Sequence, residues 1–196
     1  MSRYLRRPVV GALAASVASV LALGAWAAPA APADSRTSAP PPSIVGRWQQ
    51  LHTCQQLVDA LTAEGLEALA PVMVGDYFPD QTLDQLLEKD DLCSGAKPQV
   101  HSHFFTAGGS FGSVDQFGNQ VDEDRYTVVD PDTLQIGDGT FDFSIQSVGL
   151  QLAPVITDKQ RREALRHPEQ WSTAGWMVAV AYPGSTWEKV ACLRWC

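Results

Sequence analysis

The spacing of apolar and polar residues changes several times along this chain. From Val9 to Trp26 the residues are almost uninterruptedly apolar. From Ala28 to Ser43, apart from proline, no apolar side chain is larger than Ala. Periodicity begins at Ile44. The run from Ile44 to Thr53, opening Ile-Val-Gly-Arg-Trp, predicts a first strand. From Gln55 the period becomes helical: Leu57, Val58, Leu61, Leu66 and Leu69 share a face, Gly65 divides the pattern into two short helices, and Pro71 is expected to stop it. Leu83, Leu86 and Leu87 mark a further short helix.

After Pro98 the period shortens to two. Phe141, Phe143 and Ile145 alternate with Asp142, Ser144 and Gln146, Leu134 and Ile136 flank Gln135, and Leu150 and Leu152 flank Gln151. Turn signals separate these runs at Ala107-Gly108-Gly109, Phe117-Gly118-Asn119, Asp130-Pro131-Asp132, Gly137-Asp138-Gly139 and Val148-Gly149. Hairpins this tight join antiparallel neighbours, and a long meander hides its edges best by closing on itself. A helix is expected from Thr157 to His167, capped by Thr157 or Asp158 and followed by Pro168. The continuous apolar run Trp176–Tyr182 is expected to be the last strand, and Trp187–Cys196 a tail strapped outside with Trp187 and Trp195 as anchors. The predicted fold is mainly β: an eight-stranded antiparallel up-and-down barrel with a helical insert after the first strand.

Composition places this barrel outside the cytoplasm. Arg3, Arg6 and Arg7 precede the first apolar stretch, and Ala25-Trp26-Ala27 fits a small-x-small cleavage site, so residues 1–27 are expected to be a signal peptide. A retained anchor is disfavoured because the stretch is rich in Ala and Ser and lacks a basic stop-transfer cluster. Residues 28–43 then form a Pro/Ala-rich linker, and residues 44–196 the barrel domain, with no membrane span left after cleavage. The net charge of −8 argues against nucleic acid as a partner. The four cysteines allow three disulfide connectivities. The preferred pairs are Cys54–Cys93, bracketing the helical insert, and Cys192–Cys196, closing a C-terminal turn. A zinc site is the alternative, weakened by the lack of any CxxC pair. The oligomeric state is left open.

The strand bearing Gly46-Arg47-Trp48 ahead of a meander resembles the lipocalin and broader calycin group. More closely, His101-Ser-His-Phe-Phe-Thr, Phe111-Gly-Ser, Gln120-Val-Asp and Val180-Ala-Tyr-Pro-Gly are similar to exported bacterial lipocalin-like proteins, a group largely without assigned function. The resemblance spans roughly residues 44–190. It implies that Trp48 packs across the closed end of the barrel and that the open end admits a small apolar molecule. The helical insert departs from the simple loop of typical lipocalins and stands where it would cover that mouth.

Three candidate functions follow. The first is non-catalytic binding of a small apolar or amphipathic molecule, with Phe105, Tyr126, Phe141, Phe143 and Trp176 lining the barrel and His101, His103 or Tyr126 orienting the ligand. The second is a metal or haem enzyme: His101 and His103 lie on one side of a strand, and His52 shares the inward parity of Trp48, so the three imidazoles are metal-ligand candidates if their registers agree. The third is a filled-barrel interaction protein of the cell envelope that uses the tail tryptophans. No Gly-x-Ser-x-Gly elbow, phosphate loop or HExxH is present, and no motif commits the chain to a cofactor. Ser94-Gly95-Ala96-Lys97 lacks the companions of a Ser-x-x-Lys site. The basic patch Lys159–Arg166 is most simply a solvated helix face, with a gate for an anionic head group as the sharper alternative. Asp122, Glu123, Asp124, Asp130, Asp132 and Asp138 read as turn-capping and surface carboxylates.

Overall fold

The structure, a computed structural model, describes residues 43–192. The leader, almost all of the linker, Trp195 and Cys196 lie outside the described residues. Eight strands form one antiparallel sheet: β1 (Gly46–His52), β2 (Gln99–Phe105), β3 (Ser110–Val114), β4 (Gln120–Asp130), β5 (Thr133–Ile136), β6 (Gly139–Gln146), β7 (Gly149–Pro154) and β8 (Glu188–Val190). Their order, β7-β6-β5-β4-β3-β2-β1-β8, is that of a meander whose last strand returns beside the first. The remaining seam is bridged where Trp187 and Leu150 exchange backbone hydrogen bonds of 2.8 and 2.9 Å. Gly149 makes that approach possible: its φ is +141°, and a Cβ there would lie 2.3 Å from the Trp187 carbonyl oxygen. The result is a nearly closed barrel, compatible with a lipocalin-like fold.

Each expected turn joins two strands, and the alternating residues point as their period demands. Leu134, Ile136, Phe141, Leu150 and Leu152 are buried in the barrel, together with Trp48, Phe105 and Phe111. Trp48 Nε1 donates to the Ile44 carbonyl at 2.7 Å, and the Lys189 ammonium lies 5.1 Å from its ring centre. These large side chains fill the barrel through its middle.

Two expectations about the last strand fail, and the two errors compensate. The Trp176–Tyr182 run is not a strand: it belongs to α5 (Thr173–Ala181), begun by the Ser172 side chain accepting from Gly175 N. A continuous apolar run carries no period when an element is covered on nearly every side, so it fits a buried helix as well as a strand. The eighth strand is instead β8, and Trp187 is not an external anchor but 0 % exposed. Its ring stacks on His103 with centroids 4.1 Å apart, and its Nε1 donates to the Ala181 carbonyl. This burial removes one of the two anchors on which the interaction-protein reading relied.

The insert after β1 is helical, as expected. It comprises α1 (Cys54–Ala63), α2 (Ala70–Met73) and α3 (Leu83–Leu87), with 3-10 turns at Glu67–Leu69 and Gly75–Tyr77. Thr53 and Gln56 form a capping box that starts α1 directly from the last residues of β1. Pro71 does not end the pattern; it occupies the first turn of α2, where its missing N–H costs nothing. The Cys54–Cys93 disulfide, with Cα atoms 5.5 Å apart, ties the two ends of the insert together. Closing 39 residues of separation, it is worth about 4 kcal/mol by loop-entropy arguments. Cys192 is also disulfide-bonded, while the proposed pairing with Cys196 lies outside the described residues. α4 (Asp158–Arg166) begins with the expected Thr157 cap, and its Arg161 Nε donates to the Glu64 carbonyl at the end of α1. Among the described residues no helix is long and apolar enough to cross a membrane.

Candidate functional site

The strand registers decide which polar residues enter the barrel. Trp48 pairs with His103, Gln50 with His101 and His52 with Gln99, so residues of even number on β1 and odd number on β2 share the inner face. The three imidazoles therefore meet inside. Ring centroids are 5.6 Å apart for His52 and His101, and 5.1 Å apart for His101 and His103. The helices close over this end of the barrel, leaving a cavity of ≈ 290 Å³.

The three histidines differ in what they have left to offer. His103 is fully buried, and both ring nitrogens are used: Nε2 donates to the Val180 carbonyl at 2.9 Å, and Nδ1 accepts from the Ser113 hydroxyl at 2.9 Å. It holds α5 to the barrel floor. His52 Nδ1 meets the Tyr77 hydroxyl, which is 3.2 Å from that of Tyr182. His52 Nε2 is buried with no hydrogen-bond partner. His101 also lines the cavity. Burial pushes all three imidazoles toward the neutral form: His52 down to about 3, helped by His101; His101 down to about 4, against the opposing pull of Asp115 and Asp122; and His103 well below its ordinary value. Among the described residues no group of three or more His, Cys, Asp or Glu is arranged to hold a metal ion.

Tyr77 and Tyr182 bring their hydroxyls together across 105 residues of sequence. Burial raises Tyr77 to about 12 and Tyr182 well above its usual value, so both remain protonated donors. Tyr182 ends α5 at a φ of 43°, the one non-glycine residue with positive φ among the described residues. That conformation costs about 1 kcal/mol, and it turns the ring into the cavity ahead of Pro183. From the same helix, Trp176 Nε1 donates to Asp122 Oδ2 at 2.7 Å. Gly139 leaves room for this indole, since a Cβ there would come within 2.8 Å of it.

The residues expected to line a binding site separate into three places. His101 and Trp176 line the capped cavity. His103, Phe105 and Phe141 are fully buried among neighbouring side chains. Tyr126 and Phe143 border a larger, open groove of ≈ 840 Å³ at the other end, together with Ile44, Val45 and Val128. The Tyr126 hydroxyl there is already spent on the Thr106 carbonyl. The basic residues of α4 line neither space; Lys159 and Arg161 pair with Glu163 and Glu64. Tyr77, Tyr182 and Asp76 were missed, and Asp122 reads in sequence as a turn or surface carboxylate: Tyr77 and Asp76 come from the insert, Tyr182 from the end of α5 and Asp122 from β4, and no local pattern links them. Tyr182-Pro183-Gly184 was the available signal, a helix stop within the apolar run.

No family model matches the chain, and a search of curated proteins finds no relative.

Proposed function

We propose that this chain is an exported, lipocalin-like binding protein that holds a small amphipathic molecule in the capped cavity without covalent chemistry. In this reading residues 1–27 are a removed leader and residues 28–43 a spacer, and the buried Cys54–Cys93 disulfide fits an oxidising compartment. The observation that carries it is the cavity itself, enclosed between the barrel and the helices and walled in part by His52, whose buried Nε2 has no hydrogen-bond partner. A buried polar atom without a partner costs about 1–3 kcal/mol, which a ligand atom that reaches it recovers on binding. Apolar walls from Leu57, Met73 and Val180 supply burial, and the imidazole and phenol groups supply orientation.

Ala179 lines the same cavity, which gives a direct test. In a thermal-shift screen of small organic compounds, ligands are expected to raise the Tm of the wild-type chain. They should leave Ala179→Trp, and the milder Ala179→Leu, unshifted, because the added side chain occupies their space. Ligands that stabilise all three proteins equally, or no ligand at all, would refute cavity binding.

A further inference from the structure

The charge of the cavity lining is one-sided. Asp76 and Asp122 both line it, and no lysine or arginine does. A second, open space of ≈ 390 Å³ shares Asp122, Trp171 and Trp176 with it and adds Asp124 and Asp138, again without a cation. The two spaces thus meet at a pair of indoles flanked by carboxylates. Asp122 gives one oxygen to Trp176, and among the described residues its other oxygen makes no hydrogen bond. None of these carboxylates forms an ion pair among the described residues. Partial burial raises Asp76 above the usual carboxylate range, the response of a carboxyl short of a compensating cation.

From this we infer that the ligand is a small organic cation, an amine carrying an aromatic or other apolar body, which enters past Trp171 and Asp122. This assignment rests on the binding role proposed above. Two independent features select the charge. Indole faces attract ammonium groups, most strongly where water is excluded. Unpaired carboxylates near the mouth favour a positive guest and repel a negative one, and the net charge of −8 draws cations toward the protein as a whole. His52, 3 % exposed with Nε2 unpartnered, adds a polar contact rather than a charge preference: in the tautomer whose Nδ1–H donates to Tyr77, Nε2 accepts from an amine or an alcohol alike.

Three probes of similar shape isolate the charge: phenethylammonium, 2-phenylethanol and phenylacetate, each titrated calorimetrically into the wild-type chain and into Asp122→Asn. The substitution keeps an oxygen to accept from Trp176 while removing the charge. Phenethylammonium is expected to bind at least ~10-fold more tightly than the alcohol, with phenylacetate weakest, and Asp122→Asn should lower that preference to about 3-fold or less. Equal binding of amine and alcohol, tighter binding of phenylacetate, or a preference untouched by Asp122→Asn would overturn the cationic assignment and leave cavity binding standing. If no compound of any charge binds, the binding role fails and this assignment with it. Asp124→Asn, on the outer rim, provides a second variant should Asp122→Asn not fold, with a smaller loss of preference expected.

Discussion

Lowering the pH from 7 to 4.5 is expected to remove roughly 5 kcal/mol of folding stability through His52 and His101 alone. Both have folded pKa values, about 3 and about 4, below the ordinary 6.5. Below pH 6.5 the unfolded chain takes up protons that the native cavity refuses. Stability is therefore complete above that pH and declines as the pH falls toward the folded values. His103, depressed well below 6.5, acts in the same direction. Asp76 acts in the opposite one, because its raised carboxyl accepts a proton first in the native state. A loss of this size is comparable to the whole stability of many domains, so acid unfolding should begin near pH 5. Denaturant titrations at pH 7, 5.5 and 4.5 measure it, and His101→Gln should reduce the slope by one proton, about 1.4 kcal/mol per pH unit. A stability that changes by less than ~1 kcal/mol across this range would mean that the imidazoles are solvated rather than enclosed.

The second large effect concerns barrel closure. Trp187→Ala is expected to cost about 4–5 kcal/mol, at the upper end for loss of a buried aromatic side chain. The indole is fully buried, stacks on His103 and donates to the Ala181 carbonyl, and its backbone carries the bridge to Leu150. Removing the ring opens a void where the last strand, α5 and the histidine layer converge. Trp171→Ala is the internal comparison: at 60 % exposure it should cost under ~0.5 kcal/mol. Equal denaturation midpoints for the two variants would show that Trp187 is not the keystone of the seam.

What the sequence revealed follows from where structure is locally encoded. Hairpin turns and period-two alternation are written within a few residues, so β1 to β7 were legible, as was the facing of β5, β6 and β7. That His101 and His103 share a side was legible too, but that this side is the inner one depends on pairing with β1, which no local pattern encodes. The helical insert announced itself through the 3.6-residue spacing of Leu57, Leu61 and their neighbours. The last strand was not legible. Its three residues, Glu188, Lys189 and Val190, show no apolar alternation, because inward Lys189 lies at the barrel end over the Trp48 ring rather than in the core. α5 was misread because burial on nearly every side erases the helical period of its sequence. The cavity shared that fate. Its tyrosines and carboxylates come from the cap, α5 and β4, and they meet only when the cap docks on the barrel.

Chemical-shift mapping is the most direct measurement of where this protein works. In ¹H–¹⁵N spectra recorded during titration with phenethylammonium, the indole N–H signals of Trp171 and Trp176 and the amides of His52 and His101 should move most, while the indoles of Trp48 and Trp187 stay fixed. Shifts confined to the opposite groove, at Val128, Phe143 and Ile145, would contradict the account and place the ligand at the other end of the barrel.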